Sequence, residues 1–115
     1  MPFLDPGDML HGAPLDGWEG RFLHSENMTF AYWNVAAGAA DLHEHSHVQE
    51  EVWHILEGEI HLTVGGEGRR LGPGMVAAVP PNMPHSARVV GSCRALVADY
   101  PRRLDLPGLA KQQTE

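Results

Sequence analysis

The histidines of this chain are concentrated in one short stretch. Five of the eight lie between His43 and His61. In a β-strand successive side chains point to opposite faces, so residues of the same parity share a face. The side chains predicted to share one face here are those of His43, His45, His47 and Glu51. Three imidazoles and a carboxylate are costly to bury without partners, whereas all of them are suitable ligands for a divalent metal ion.

A further ligand has to come from another strand, and His85 is the candidate. It follows the segment Pro80-Pro81-Asn82-Met83-Pro84, a rigid turn that would fix its position. The sequence therefore predicts one metal site, with the ligands His45, His47, Glu51 and His85.

Two alternatives compete with this assignment. A histidine-rich strand that faces solvent could be no more than polar surface. The spacing His-x-His-x3-Glu, the glycine seven residues after Glu51 and the proline-rich turn coincide here, and together they favour metal binding. A second register would use His43 and His45 with Glu50. It is disfavoured because Glu50 has the opposite parity and Gly58 would be one residue out of step.

Short runs rich in β-branched and aromatic residues alternate with breakers, of which there are thirteen glycines and nine prolines. These runs are residues 28–35, 51–56, 60–64, 75–79, 86–90 and 94–99. The third run ends at Gly65-Gly66, which is a hairpin turn signal. No window has a convincing helical stripe, and the best helical candidate is the polar tail at 107–115. The pattern predicts an all-β domain, either a sandwich or a barrel.

A chain of 115 residues predicts a single domain. We expect an extended N-terminal arm at 1–20, a barrel domain at 21–101 and a polar C-terminal tail at 102–115. The pairs Arg69-Arg70 and Arg102-Arg103 are interpreted as charged surface, with only a small chance of binding an anion.

With these motifs the sequence resembles the cupin superfamily, in particular its small single-domain members. The first cupin motif, G-x5-H-x-H-x(3–4)-E-x6-G, is matched by His45, His47, Glu51 and Gly58. The second, G-x5-P-x-G-x2-H-x3-N, is matched by Gly74, Pro80 and His85. The two motifs cover residues 38 to about 89. The resemblance implies a double-stranded β-helix, also called a jelly-roll barrel, with a divalent metal on the four ligands.

The sequence departs from these motifs at three positions. Ala39 stands at the first glycine, with Gly38 one place early, and Asn82 replaces the glycine between Pro80 and His85. Val89 replaces the closing asparagine. None of these positions is a predicted ligand, so the metal site is expected to remain intact.

Three imidazoles and one carboxylate leave two positions open on a six-coordinate ion, as in a catalytic or substrate-binding site. Spacing alone does not choose among iron, manganese, nickel, zinc and cobalt. The resemblance implies a metal-dependent dioxygenase or isomerase that acts on a small oxygen-rich substrate, with Glu51 or Tyr32 moving a proton. The alternative is a non-catalytic module with a metal-containing pocket that binds or senses a small ligand. A barrel without metal is disfavoured because all four ligands are present.

Other residues are expected near the pocket without contacting the ion. These are His43, Trp53, Tyr32 and Asn34. Trp53 shares the parity of Glu51 and would line the cavity or form plain core, whereas His54 points the other way. His61 alternates with an apolar set and is expected on the outside.

Bulk properties restrict the partners. The formal net charge of -7 argues against a nucleic acid, because neutralising phosphates requires clustered Lys and Arg. No apolar run is long enough to cross a membrane, and a small-molecule ligand is the expected partner. The single cysteine, Cys93, fits a reducing compartment, so the predicted location is cytoplasmic. Strands that are apolar on both faces, such as 28–35, predict a homodimer.

Overall fold

The computed structural model describes residues 2–106 and consists almost entirely of strands. A 3-10 helix, Pro6–Asp8, precedes eight strands: β1 (Leu10–Leu15), β2 (Trp18–His24), β3 (Thr29–Val35), β4 (Leu42–His45), β5 (Glu50–Val64), β6 (Glu67–Leu71), β7 (Val76–Val79) and β8 (His85–Tyr100). The prediction of an all-β chain is confirmed. The predicted helical tail at 107–115 lies outside the described residues.

Two long strands, β5 and β8, form the frame of the fold. They pair antiparallel along their whole lengths, from Glu50 opposite Tyr100 to Val64 opposite His85. Each also pairs with two further strands on its other side. β5 pairs first with β7 and then with β6, whereas β8 pairs first with β4 and then with β3. The strands are hydrogen-bonded in the order β1-β2-β3-β8-β5-β6, with β4 and β7 as side branches. The sheet that they form curves around a single interior.

The sequence predicts two shorter strands in place of each long one, and a bulge explains the difference. The register of β5 against β8 shifts on either side of Gly58, which has a φ of 73°. A Cβ at this position would collide with the carbonyl oxygen of Ser92. Gly58 therefore bends a continuous strand rather than ending it. The predicted turn at Gly65-Gly66 is observed between β5 and β6, and both glycines have positive φ.

The N-terminal strands extend the sheet, and the segment after β8 packs against the core. β1 and β2 form an antiparallel hairpin, and β2 pairs with β3. β2 continues across residue 20, which the sequence predicted as the end of the N-terminal arm. After β8, the side chains of Arg103 and Leu106 are buried. In residues 2–106, no helix has the length and apolar character needed to cross a bilayer.

The core fills the interior between the strands. Its largest side chains include Trp18, Phe22, Trp33, Trp53 and Ile55. The ring of Trp18 lies edge-on to those of Trp33 and Trp53, with centroids 5.5 and 6.4 Å apart. Burying each such side chain contributes roughly 1.5–3 kcal/mol, so this cluster holds the strands that carry the site.

Candidate metal centre

Three elements bring four polar side chains to one end of the barrel. β4 ends at His45, which is paired with His85, the first residue of β8. Between β4 and β5 lies His47, and Glu51 is the second residue of β5. The structure thus brings together all four residues that the sequence predicted as ligands.

Backbone carbonyls fix the orientation of all three imidazoles. The Nδ1 atoms of His45, His47 and His85 lie 2.8, 3.1 and 2.9 Å from carbonyl oxygens two residues away in the chain. A carbonyl oxygen only accepts, so each Nδ1 must carry a proton and donate it. In the neutral ring the lone pair is then on Nε2, which is the arrangement that favours metal binding.

The free ring nitrogens of the three histidines lie close together, and those of His47 and His85 also lie beside Glu51. One ligand atom from each of His45, His47 and His85 lies within 4.8 Å of the others. The Nε2 atoms of His47 and His85 are 3.3 Å from the two carboxylate oxygens of Glu51. Ligands that share an ion at roughly 2.0–2.2 Å lie roughly 3–3.5 Å apart, so these spacings fit a divalent cation.

Burial makes this arrangement costly without a cation. The Nε2 atoms of His47 and His85 are both buried, and neither has a hydrogen-bond partner within residues 2–106. Buried polar atoms are otherwise almost always paired. The His/Glu cluster can therefore hold a metal ion, and the donor set of imidazole and carboxylate suits one.

Glu51 is held from two sides. The indole Nε1 of Trp53 donates to its Oε2 at 2.6 Å, and the guanidinium Nη1 of Arg103 lies 3.5 Å from its Oε1. Burial by itself raises the pKa of Glu51. When they carry a second proton, on Nε2, the neighbouring imidazoles of His47 and His85 outweigh burial and hold the pKa of Glu51 well below its usual range. Glu51 is thus a carboxylate in place to bind a cation.

The sequence model of the cupin domain matches residues 31–99, which is more than half of the chain. This chain belongs to the cupin family. A protein of Streptomyces coelicolor is 33% identical over 73 residues, which span 64% of this cupin and 69% of that protein.

Solved structures agree with this assignment. The RmlC-like cupin from Shewanella frigidimarina has a TM-score of 0.82 at 23% identity, over 91% of this chain and 95% of that one. KdgF from a Halomonas species has a TM-score of 0.80 at 20% identity, over 90% and 98%. Oxalate decarboxylase of Bacillus subtilis has a TM-score of 0.74 at 18% identity, over 85% of this chain and 29% of that one. These likenesses confirm the jelly-roll barrel that the sequence predicted.

Two further ionisable residues of this cupin face the site, and sequence reasoning missed both. Asp99 and Arg103 are buried, with 1% and 4% exposed, and they line a cavity together with Glu51. The interpretation of Arg103 as charged surface is wrong, whereas its neighbour Arg102 is exposed. Asp99 could have been found, because it has the same parity as the buried Ala95 and the other inward side chains of β8. Arg103 follows the strand, so no periodicity marks it.

Asp99 and Glu51 differ in protonation state. Burial, followed by the charge of Glu51, raises the pKa of Asp99 to about 9. Two close carboxyl groups in a low-dielectric interior cannot both ionise at little cost, so one retains its proton. At neutral pH Asp99 is the protonated member and Glu51 the charged one.

His43 does not join the cluster, because β4 carries an irregularity. The register against β8 shifts between Leu42 and His45, and Leu42 is buried whereas His43 and Glu44 are both exposed. Two consecutive outward residues break the parity on which His43 was grouped with His45. His43 supports the site only through its carbonyl oxygen. The rival ligand Glu50 is exposed, as its parity predicted.

Tyr32 and Asn34 are also away from the cluster. The inward side chains of β3 are Ala31, Trp33 and Val35, so Tyr32 and Asn34 project from the outer face. There they line a surface groove with His11 and Arg21. The structure does not place Tyr32 where it could move a proton at the cluster.

The remaining histidine and tryptophan positions follow the predicted alternation. Trp53 is buried and lines the cavity, and its neighbour His54 is exposed. His61 is half-buried on the face opposite to the buried Ile60 and Leu62.

The cavity beside the cluster is small, about 30 Å³. His45, Glu51, Asp99 and Arg103 form its polar part. The rest of the wall is apolar and is formed by Leu15, Trp18, Ala31, Trp33, Leu42, Trp53, Val97 and Leu106. A space of this size holds roughly one or two water molecules.

Proposed function

We propose that this cupin is a divalent-metal-dependent enzyme of the dioxygenase or isomerase type that acts on a small oxygen-rich substrate. The observation that carries the proposal is a cluster of three imidazoles, each with Nδ1 held by a carbonyl, of which two lie 3.3 Å from the charged carboxylate of Glu51. The ligands would be His45, His47, Glu51 and His85. A divalent ion bound there would polarise a carbonyl or activate water beside a chelated substrate.

The residues of the chain supply the remaining functions. The largely apolar wall beside the cluster keeps bulk water from the inner side of a bound ion, which strengthens the electrostatic interactions there. Glu51 is charged and Asp99 holds a proton, so the site has one acceptor and one donor within the same small space. Proton transfer is therefore assigned to Glu51 and Asp99, whereas the sequence predicted Glu51 or Tyr32 for this role.

The metal itself can be iron, manganese, nickel, zinc or cobalt, because all of these accept imidazole and carboxylate. Manganese has support from a structural neighbour. Oxalate decarboxylase of Bacillus subtilis is described with Mn(II) centres, and its fold matches 85% of this chain.

Elemental analysis of the purified native protein tests the metal site. We expect about one equivalent of a transition metal in the wild type and less than about a tenth of that in His85→Ala. His54→Ala is the matched control, because His54 is exposed on the outer face of β5, and it should retain the wild-type content. Equal metal in His85→Ala and the wild type would remove His85 from the ligand set.

The reaction type is tested on the same preparation. Oxygen consumption with small diketones or catechols, lost in His85→Ala and retained in His54→Ala, would identify a dioxygenase. Conversion of an oxygen-rich substrate without oxygen uptake would identify an isomerase. Tight binding of such compounds with no turnover would replace the proposal by the non-catalytic binding module.

The proposal also includes a homodimer in the cytoplasm. Apolar side chains remain exposed on the outer face of β5 and β7, among them Val52, Leu56 and Val76 at 37%, 42% and 55%. Such a face favours a partner surface. Size-exclusion chromatography with light scattering tests this, and a clean monomer at micromolar concentration would contradict it.

The buried Cys93 has a pKa raised to about 11 by burial, so it is unreactive and compatible with a reducing compartment.

A further inference from the structure

The wall of the small cavity beside the metal cluster is built from two kinds of structure. All of its lining residues but two lie on strands β1, β2, β3, β4, β5 and β8, which are paired in the sheet. The two exceptions, Arg103 and Leu106, lie in residues 101–106, the segment after β8 that we call the strap. Within residues 2–106, the strap is thus the one part of this wall that no strand ladder holds in place.

Side chains of the barrel hold the backbone of the strap. The N–H of Arg103 donates to Oγ1 of Thr29 at 2.8 Å, and the side-chain amide of Gln49 donates to the carbonyl oxygen of Arg102 at 3.0 Å. Among residues 2–106, no backbone–backbone hydrogen bond joins the strap to a strand; the one that it makes, from Leu106 to Arg103 at 3.2 Å, is internal. A segment attached in this way opens at a lower free energy than the sheet around it.

Two side chains of the strap close the cavity. Leu106 is 5% exposed and belongs to the core, and its carbonyl oxygen lies 3.4 Å from Nε2 of His24. The guanidinium of Arg103 is paired through Nε and Nη2 with the two carboxylate oxygens of Asp105, at 3.0 and 3.1 Å. The charge of Arg103 is therefore met in the closed arrangement.

The main ion pair of Arg103 would survive if the strap moved away. Asp105 is itself part of the strap, so the forked pair can move as one unit. Only the longer contacts of Nη1 would break, 3.5 Å to Oε1 of Glu51 and 4.0 Å to Oδ2 of Asp99. Charge-assisted hydrogen bonds are usually roughly 2.7–2.9 Å long, so these two contacts are weak. Opening the strap thus leaves no buried cation without a partner.

The closed cavity is too small for the substrates of the proposed function. Its volume is about 30 Å³, whereas pockets that bind small organic ligands usually measure roughly 300–1,000 Å³. A molecule that approaches the cluster from this side must displace part of the wall. Because the strands are held by ladders of hydrogen bonds, the strap is the part that moves at the least cost.

We propose that the strap is a movable closure of the metal cavity, and that outward movement of Arg103 and Leu106 opens a path to the inner side of the cluster. This inference rests on the proposed function and deepens it, since it assigns the route by which a substrate reaches the site. The opened cavity is continuous with solvent, and the closed one has room for roughly one or two water molecules.

Trypsin measures the opening in the wild type, because the strap contains Arg102 and Arg103. In metal-free full-length protein we expect cleavage after these residues, identified by mass, to be at least about tenfold faster than after Arg70 of β6 or Arg88 of β8. Cleavage at one common rate at all four arginines would overturn the inference, because the strap would then open only when the whole barrel unfolds.

Quenching of tryptophan fluorescence by acrylamide reports entry of a small molecule into the cavity. All three tryptophans of the chain line it, and none is more than 7% exposed. Gln49→Ala removes one anchor of the strap and leaves the lining side chains unchanged, so any gain in quenching comes from opening. We expect its quenching constant to rise about threefold or more, and its cleavage in the strap to be faster by a similar factor.

Two leucine variants form a matched pair for the same measurements. Leu106→Ala truncates the inward side chain and should increase both quenching and cleavage by more than Gln49→Ala does. Leu104→Ala makes the same change two residues away, where the side chain is 68% exposed, and should behave like the wild type. Equal values for Leu104→Ala, Gln49→Ala and the wild type would contradict the proposed closure.

Access to the metal is tested with nitrocatechol, a coloured chelator, on cobalt-loaded full-length protein. Its association rate should rise by roughly 3–10-fold in Gln49→Ala and Leu106→Ala and stay unchanged in Leu104→Ala. The same rate in all of them would overturn the inference, because the ligand would then enter by another route. Protein that takes up no cobalt contradicts the proposed function instead, and the trypsin and acrylamide measurements on metal-free protein still decide whether the strap opens.

Discussion

The site has two halves that are built in different ways. The histidine half consists of His45, His47 and His85, and the ionic half consists of Glu51, Asp99 and Arg103. Each imidazole is oriented by a carbonyl two residues away, whereas Glu51 and Arg103 meet across 52 residues of chain. The orientation of each imidazole is therefore set by local backbone geometry, whereas the contacts of the ionic half are all made between distant parts of the chain.

The two halves also differ in electrostatics. Burial lowers the pKa of His45, whereas Glu51 overcomes burial and raises the pKa of His85. In the ionic half the two carboxyl groups are driven apart, with the pKa of Glu51 lowered and that of Asp99 raised to about 9. Glu51 therefore connects the two halves, because it raises the pKa of His85 in one half and that of Asp99 in the other.

Glu51→Gln should have the largest effect, because it breaks that connection. An amide oxygen is a weaker ligand than a carboxylate, and we expect metal affinity to fall by more than about a hundredfold, beyond the roughly 10–100-fold typical of supporting residues. Glu50→Gln, one residue away and exposed, should bind metal like the wild type. Competition with a chromogenic chelator measures both. Equal losses in the two variants would show that the ligand register is wrong.

Asp99→Asn should stabilise the metal-free protein at alkaline pH. A carboxyl group whose folded pKa is raised loses stability as pH rises from its unfolded value, 3.8, toward its folded value, about 9. An amide copies the protonated acid and has no proton to lose. A pKa difference of one between the folded and unfolded states is worth roughly 1.4 kcal/mol, so the full shift would correspond to about 6 kcal/mol at pH 8. The amide makes poorer hydrogen bonds than the acid that it replaces, and we therefore expect a net gain of at least about 2 kcal/mol at pH 8 and almost none at pH 4.

Urea unfolding with EDTA at both pH values measures this difference. Asp41→Asn is a suitable control, because Asp41 is an exposed carboxylate outside the site. A gain for Asp99→Asn that is the same at pH 4 and pH 8 would show that Asp99 is not the residue that retains the proton.

Trp53→Phe tests the support that the core gives to Glu51. It removes the 2.6 Å hydrogen bond to Oε2 and retains most of the buried ring. Metal affinity should fall about tenfold, the lower end of the range for residues that orient a ligand. Trp33→Phe changes the same aromatic cluster without touching Glu51, and it should leave affinity within about twofold. If both variants lose affinity alike, the hydrogen bond from Trp53 does not position Glu51.

Thr29→Val should have the smallest effect and should be confined to the ionic half. It leaves the backbone N–H of Arg103 without its acceptor and removes the contact of Oγ1 with His24. We expect a loss of about 1 kcal/mol in the free energy of unfolding, with metal affinity unchanged. Thr63→Val, on the outer face of β5, is the control. A marked loss of metal would show that the two halves are more tightly linked than their contacts indicate.

Sequence reasoning predicted the histidine half well and the ionic half poorly. The spacing of His45, His47 and Glu51 and the turn before His85 are local patterns, and the structure brings these residues together. His43 was misplaced because an irregularity in β4 breaks strict alternation. Tyr32 shows the limit of parity, which pairs residues on one face without saying which face is inside. The inward face of β3 is set by Trp33 packing against Trp18 and Phe22.

The sequence by itself determined that the chain is an all-β cupin with a histidine-rich cluster that could hold a metal ion, because strand periodicity, glycine turns and motif spacing are short-range properties. Only the tertiary structure decided that Arg103 turns inward, that Asp99 retains a proton and that Tyr32 stays outside. Those outcomes depend on burial and on charges brought together from distant parts of the chain, and the energy of a buried charge is set by its neighbours in space.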